Sequence, residues 1–186
     1  MDAYVYVETE PGTARRVAED IARLDVREVV VVTGPYDVVV SLENVDPFSL
    51  GETVLDHIQA VAGVVRTNSA IVVDPALVSA APWPTFPFHF AGGEVTALVH
   101  VLIQPGTTGR VLEGLSGSDA IVGWALLAGD WDILVEVSAP TWDDASRVVL
   151  EQIQPIEGIA RTSTYLAISP KLKAEQASAK GTRARQ

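Results

Sequence analysis

The sequence predicts an α+β protein built from two tandem βαββαβ units. Three observations predict it. Short β-branched runs alternate with helical stripes in the order βαββαβ, the order occurs twice along the 186 residues, and the same turn precedes the third strand of each copy. That turn is Gly34-Pro35-Tyr36-Asp37 in the first copy and Gly129-Asp130-Trp131-Asp132 in the second.

Residues 4–9 alternate and read as a strand, which Pro11-Gly12 breaks. Thr13 is placed to cap a helix whose Val17, Ile21 and Leu24 recur at helical spacing. Val29 to Val32 are all β-branched, which favours extended chain. Gly34 then reads as the first of two loop residues in a type II′ hairpin, and a strand follows over 36–43. Asp46-Pro47 starts a second helix with Leu50, Val54, Leu55, Ile58 and Val61 on one stripe, and Gly63 stops it. The unit closes with a strand over 64–73, so its domain is residues 1–73.

Residues 74–94 hold Pro75, Pro82, Pro84 and Pro87 with Trp83, Phe86, Phe88 and Phe90 interleaved, and read as an extended linker. Its aromatics are expected to pack on a flanking domain. From Val95 the pattern returns. Pro11, Gly12, Thr13, Arg16 and Val17 fall on Pro105, Gly106, Thr107, Arg110 and Val111; after one inserted residue Gly34, Asp37, Ile58, Gln59, Gly63, Arg66 and Thr67 fall on Gly129, Asp132, Ile153, Gln154, Gly158, Arg161 and Thr162. Matches in this order, with a single one-residue shift, indicate duplication. The second domain is residues 95–169, with strands over 95–104, 120–128, 131–138 and 159–168 and helices over 107–116 and 142–155. Residues 170–186 read as a basic disordered tail.

Charge and residue usage remove several classes of chemistry. The formal net charge is −11, but Lys171, Lys173, Lys180, Arg183 and Arg185 against Glu175 make the last sixteen residues +4 and leave −15 on the rest. Direct nucleic-acid binding is therefore not expected of the body. Before that tail there is no lysine, and the chain has no cysteine, which excludes a Schiff base, a Walker lysine and a thiolate nucleophile. His57, His89 and His100 lack metal-ligand spacing, so neither metal nor cofactor is expected. The first residues lack the pattern of a signal peptide and no apolar run approaches the roughly 18 residues of a membrane span, so a cytoplasmic location away from membranes is the expectation.

Two helices joining four antiparallel strands in this order lie on one side of the sheet, giving a ferredoxin-like sandwich with a second, uncovered face. Alternation assigns Val5 and Val7 to the helix side and Tyr4, Tyr6 and Glu8 to the other, where Leu98, His100 and Leu102 match them in the second copy. Extending the third strand back to its aromatic places Tyr36 and Trp131 with the helices, and Asp37, Val39 and Ser41 (Asp132, Leu134 and Glu136) on the other face. A face of this mixed character is expected to pack on another sheet, within the chain or between chains.

The doubled glycine-aromatic-aspartate turn, with Ala-Gly-Val-Val-Arg-Thr-Asn-Ser and Glu-Gly-Ile-Ala-Arg-Thr-Ser-Thr after the second helices, resembles the effector-binding domain of the leucine-responsive (Lrp/AsnC) regulators. The resemblance covers residues 3–73 and 95–168 and implies sheets packed face to face as a dimeric α/β barrel. It also implies further assembly, and binding of amino acids or related effectors beside the turn and the last strand. By position it points to Gly129, Asp130, Trp131, Asp132, Thr162 and Thr164, and to Gly34, Tyr36, Asp37, Thr67 and Ser69. Pro35 replaces the family's aspartate and removes a carboxylate and an N–H, so the second copy is expected to be the better site. The family's helix-turn-helix is not visible, as the sequence opens on its first strand.

Each of these residues also has a plain structural role open to it. Asp37 and Asp132 can hold an effector ammonium or cap their own turns. Arg66 and Arg161 can clamp a carboxylate or pair with a local acid. His100 can be a general base or a satisfied core residue. The functional expectation is a small-molecule sensing and oligomerisation protein without catalysis, forming a homo-oligomer and associating with regulators of the same family. The alternatives are a dimeric α/β-barrel oxygenase or isomerase using His100 with Asp132 or Glu136, and a purely structural module.

Overall fold

The computed structural model describes residues 1–73 and 95–168. The expected linker, with His89 and its aromatics, and the basic tail lie outside them. The chain divides into two compact units, Met1–Ile71 together with the described residues from Ala167, and Val72–Leu166. The first contains β1 (Ala3–Thr9), α1 (Ala14–Ile21), β2 (Glu28–Thr33), β3 (Val38–Leu42), α2 (Pro47–Glu52) and β4 (Val64–Val72). In the second are β5 (Val95–Ile103), α3 (Thr108–Leu115), β6 (Ile121–Ala128), β7 (Ile133–Ala139), α4 (Trp142–Arg147) and β8 (Ile159–Ala167). Each unit is the βαββαβ sandwich expected.

The first sheet has the order β4-β1-β3-β2, all antiparallel, with Val5 opposite Val40 and Ser69. The second repeats it as β8-β5-β7-β6, with Val99 opposite Val135 and Thr164. This is the connectivity that puts both crossover helices on one face. That face is a dry core: Ala3, Val5, Val7, Val29, Val31, Val38, Val40 and Leu42 pack on Val17, Ala18, Ile21, Val54 and Ile58. Its counterpart packs Ala97, Val99, Val101, Ile133, Val135 and Val137 on Val111, Leu112, Leu115, Val148, Val149 and Ile153.

The opposite faces are buried too, and more polar. Tyr4, Tyr6, Val30 and Val39 share theirs with Glu28 and Ser41, and Leu98, Leu134 and Tyr165 share theirs with His100 and Glu136.

Four local expectations are corrected. Thr13 occupies the N-cap of α1 with its carbonyl accepting from Val17 N–H at 2.9 Å, but its side chain makes no cap bond and its hydroxyl donates to the Glu10 carbonyl at 2.8 Å instead. Four residues, not two, separate β2 from β3 and β6 from β7, because strand pairing in each hairpin stops one turn earlier than the glycine suggests. Both second helices widen into a π-helical stretch, Thr53–Ile58 and Val148–Ile153, with Gln59 N–H donating to the Val54 carbonyl at 2.9 Å and Gln154 to Val149 at 2.9 Å. The wider turn rotates Leu55 out of the expected stripe, leaving it 60% exposed, and its counterpart Leu150 59% exposed. The fourth is the side of the sheet on which the turn aromatics lie, which belongs to the geometry of the site.

Asp46 caps α2 as expected, accepting from the N–H groups of Phe48 at 2.9 Å and Ser49 at 3.1 Å. Those bonds and the Ser49 hydroxyl hold its carboxyl below the usual aspartate range. Among the described residues no helix is long and apolar enough to cross a membrane.

Candidate functional site

The turn is built by its aspartate. Val32 N–H donates to the Asp37 carbonyl at 2.8 Å and Leu127 to Asp132 at 2.8 Å, closing the two hairpins. The Asp37 N–H then reaches the Val7 carbonyl of β1 at 2.9 Å, and the Asp132 N–H reaches Val101 of β5 at 3.1 Å. The side chain finishes the same connection. Asp37 Oδ2 accepts from the Thr9 N–H at 2.7 Å and its hydroxyl at 3.1 Å; Asp132 Oδ2 accepts from the Ile103 N–H at 2.8 Å. These N–H groups stand at the ends of the first strands, where the register with β4 and β8 slips and the ladder leaves them to other acceptors. One oxygen of each aspartate is thus spent on folding its hairpin onto the sheet.

The two glycines differ. Gly34 has φ 146°, whereas Gly129 is not among the glycines with positive φ, so only the Pro35 copy of the turn draws on glycine's freedom.

Tyr36 and Trp131 lie on the face away from the helices, contrary to the alternation. Residues 36 and 131 precede their strands, so the period of two does not extend to them. Tyr36 packs on Tyr6 at a centroid distance of 5.7 Å, and Trp131 stacks on His100 at 5.5 Å and 14°. On the outer side an arginine of the last strand covers each ring: Arg66 over Tyr36 at 5.4 Å and Arg161 over Trp131 at 4.9 Å. Cation–π contacts of this geometry are worth about 0.5–1 kcal/mol at exposed positions. His100 is in turn edge-on to Tyr165 at 4.8 Å. Burial holds His100 neutral, lowering its pKa to about 4.

The two stacks differ in one place. In the first unit Glu8 stands directly across from Arg66 and binds its Nε at 2.6 Å, which raises the pKa of the guanidinium. In the second, Leu102 stands across from Arg161, and no carboxylate among the described residues pairs with that guanidinium.

The expected site residues fall on two sides of each sheet. The turn, with Tyr36 or Trp131, joins the aromatic and arginine of the outer face. Thr67 and Ser69 lie across from Val7 and Val5, and Thr162 and Thr164 across from Val101 and Val99, so all four point to the helix side. There the Thr67 hydroxyl accepts from Gln59 Nε2 at 2.7 Å and the Thr162 hydroxyl from Gln154 Nε2 at 2.9 Å, and both glutamines cap the π-helical stretches. Asp130 is exposed at the tip of the turn. The residue that sequence reasoning undervalued is Arg161. Aligning the first strands of the two copies puts Leu102 where Glu8 stands, and that difference was visible. Among the described residues no group of acids and histidines could hold a metal ion.

The family model described as the Lrp/AsnC ligand binding domain matches residues 2–79 and again 96–176. A curated relative, an uncharacterized HTH-type transcriptional regulator of Pyrococcus furiosus, is 28% identical over 75 residues, 39% of this chain and 50% of its own length. The chain therefore spans about half of that relative. TTHA0845 from Thermus thermophilus, a solved structure, is 35% identical over 37% of this chain and 86% of its own, with a TM-score of 0.35. The siroheme decarboxylase NirDL is 7% identical, with a TM-score of 0.67 over 93% of this chain and 72% of its own, a likeness of fold.

Proposed function

We propose that this chain, which belongs to the Lrp/AsnC ligand-binding domain family, is a small-molecule sensing and oligomerisation protein whose effector is an amino acid or related metabolite. The effector lies beside the Gly129–Asp132 turn, with Trp131 as its apolar wall, while Thr162 and Thr164 stand on the helix side of β8 and back the site rather than line it. The Gly34, Tyr36 and Asp37 turn, with Thr67 and Ser69, forms a weaker second copy. It acts on transcription through regulators of the same family with which it associates. One observation carries the reading: the family match occurs twice, and each time the turn presents an aromatic ring packed between a strand residue and an arginine.

A thermal-shift screen of the twenty amino acids and their keto acids tests it. A ligand present at about a hundred times its Kd stabilises the folded state by about 2.7 kcal/mol, which raises the melting temperature measurably. At least one compound is expected to do so. No shift with any of them at millimolar concentration contradicts the sensor reading.

The enzyme reading rests on His100, which burial keeps in the neutral form that a general base needs. The same burial argues against it. A base with a pKa of about 4 accepts a proton poorly at neutral pH, and Trp131 is stacked on its ring.

A further inference from the structure

We propose that Arg161, seated on Trp131, is the carboxylate receptor of the second unit, and that the first unit lacks one because Glu8 occupies Arg66. The inference rests on the sensor reading and names the chemical class of its ligand: an organic acid with a carboxylate for Arg161 and a flat or apolar body beside Trp131.

The argument begins with how the guanidinium is held. A guanidinium has five N–H donors, and a cation–π contact, which is electrostatic, does not use them all as hydrogen bonds. Those donors form the fork that matches a carboxylate with two parallel hydrogen bonds. Arg161 is exposed, yet its guanidinium lies over the indole at 4.9 Å, and the indole is stacked on His100, which is itself edge-on to Tyr165. Less side-chain freedom is lost on binding when the fork is already placed.

The first unit supplies the internal comparison. There the guanidinium, over the same kind of ring, already has a carboxylate: Glu8, directly opposite on the neighbouring strand, accepts from its Nε at 2.6 Å. The protein thus shows what the site binds when an acid is at hand. At the second copy the position opposite is Leu102, half-buried and apolar, and no carboxylate among the described residues pairs with Arg161, which leaves its donors to an acid from outside them. Leu102 also adds apolar surface beside the guanidinium. On a body that carries −15, a guanidinium with no acid partner among the described residues and seated on an aromatic ring suits a specific anion rather than a general basic surface.

Exchanging the two residues tests this without deleting either arginine. The probes are indole-3-acetate, benzoate and L-tryptophan, each set against its primary amide. They are titrated into the full chain while the Nε–H resonances of Arg66 and Arg161 are followed, with melting curves to show that each variant is folded. In the native chain the acids are expected to move the Arg161 signal and to bind at least tenfold more tightly than the amides. Leu102→Glu places the acid within the chain and is expected to weaken binding at Arg161 at least tenfold. Glu8→Leu releases Arg66 and is expected to add a second site with a moving Arg66 signal. Acids and amides binding equally, an Arg161 signal silent to every probe, or Leu102→Glu leaving binding unchanged each overturns the proposal. If an amino acid from the thermal-shift screen stabilises native and Leu102→Glu chains alike, the receptor assignment fails while the sensor reading stands. If the acids bind Arg161 but no amino or keto acid stabilises the chain, the reverse holds.

Discussion

His100 shows how one residue can be prominent in a sequence for the wrong reason. As the one histidine on an expected strand it draws attention as a base, but its ring is stacked on Trp131 and edge-on to Tyr165. Its folded pKa of about 4 lies below the unfolded value of 6.5, so protons bind the unfolded chain more tightly between those values. The stability owed to neutral His100 is complete above pH 6.5 and is lost as the pH falls through about 4, a loss on the order of 3 kcal/mol. Denaturant melts of the native chain and His100→Gln from pH 7 to pH 4 read this directly. The difference reads the imidazole together with any coupling to the buried Glu136 on the same face, and the native chain is expected to lose more stability than the variant. Parallel losses would show that His100 is not held neutral.

At the scale of elements, most of the fold was legible. The strands and helices sit within a residue or two of where alternation, β-branched runs and helical stripes put them, because each buries one face against the same core. What the pattern did not contain is the π-helical widening of the second helices. A stripe read at 3.6 residues per turn counts Leu55 as buried, and nothing in the composition of Thr53–Ile58 signals the extra residue per turn. Nor did alternation reach Tyr36 and Trp131, since the ladder starts after them. Gly63, expected to stop the second helix, lies four residues beyond the C-cap Gln59 in the turn into β4, as Gly158 lies beyond Gln154, and both have positive φ, 97° and 105°. A Cβ on Gly158 would stand 2.6 Å from Thr107 Cβ and 3.0 Å from Val111 Cγ2, whereas one on Gly63 meets only the ends of Thr13, Arg16 and Val17 at 3.0 Å or more. Gly158→Ala is therefore expected to cost about 1–3 kcal/mol through strain and overpacking, and Gly63→Ala less. Urea denaturation of the two variants checks the order; equal losses would mean that backbone strain alone decides both.

Over the whole molecule, duplication has produced two frames with the same hydrogen bonds and different outer chemistry. Asp37 and Asp132 repeat one bond, Thr67 and Thr162 another, and Tyr36 and Trp131 the same seat under an arginine. Beside the turn the copies differ at Pro35 for Asp130, Tyr6 for His100 and Glu8 for Leu102, and farther along the same face at Tyr4 for Leu98, Ser41 for Glu136 and Ala70 for Tyr165. The sequence disclosed which turns to compare, but not that the arginine of one copy is already occupied, because that depends on strand register. The most direct measurement is the Kd, by titration calorimetry, of the compound that most stabilises the chain. It is measured for the native protein, for Trp131→Ala with Asp132→Ala, and for Tyr36→Ala with Asp37→Ala, at a temperature where all three are folded. Loss of at least tenfold in affinity from the first pair and a smaller loss from the second is the predicted result. Equal effects of the two pairs, or affinity unchanged by the first, would contradict a sensing site built on the second turn.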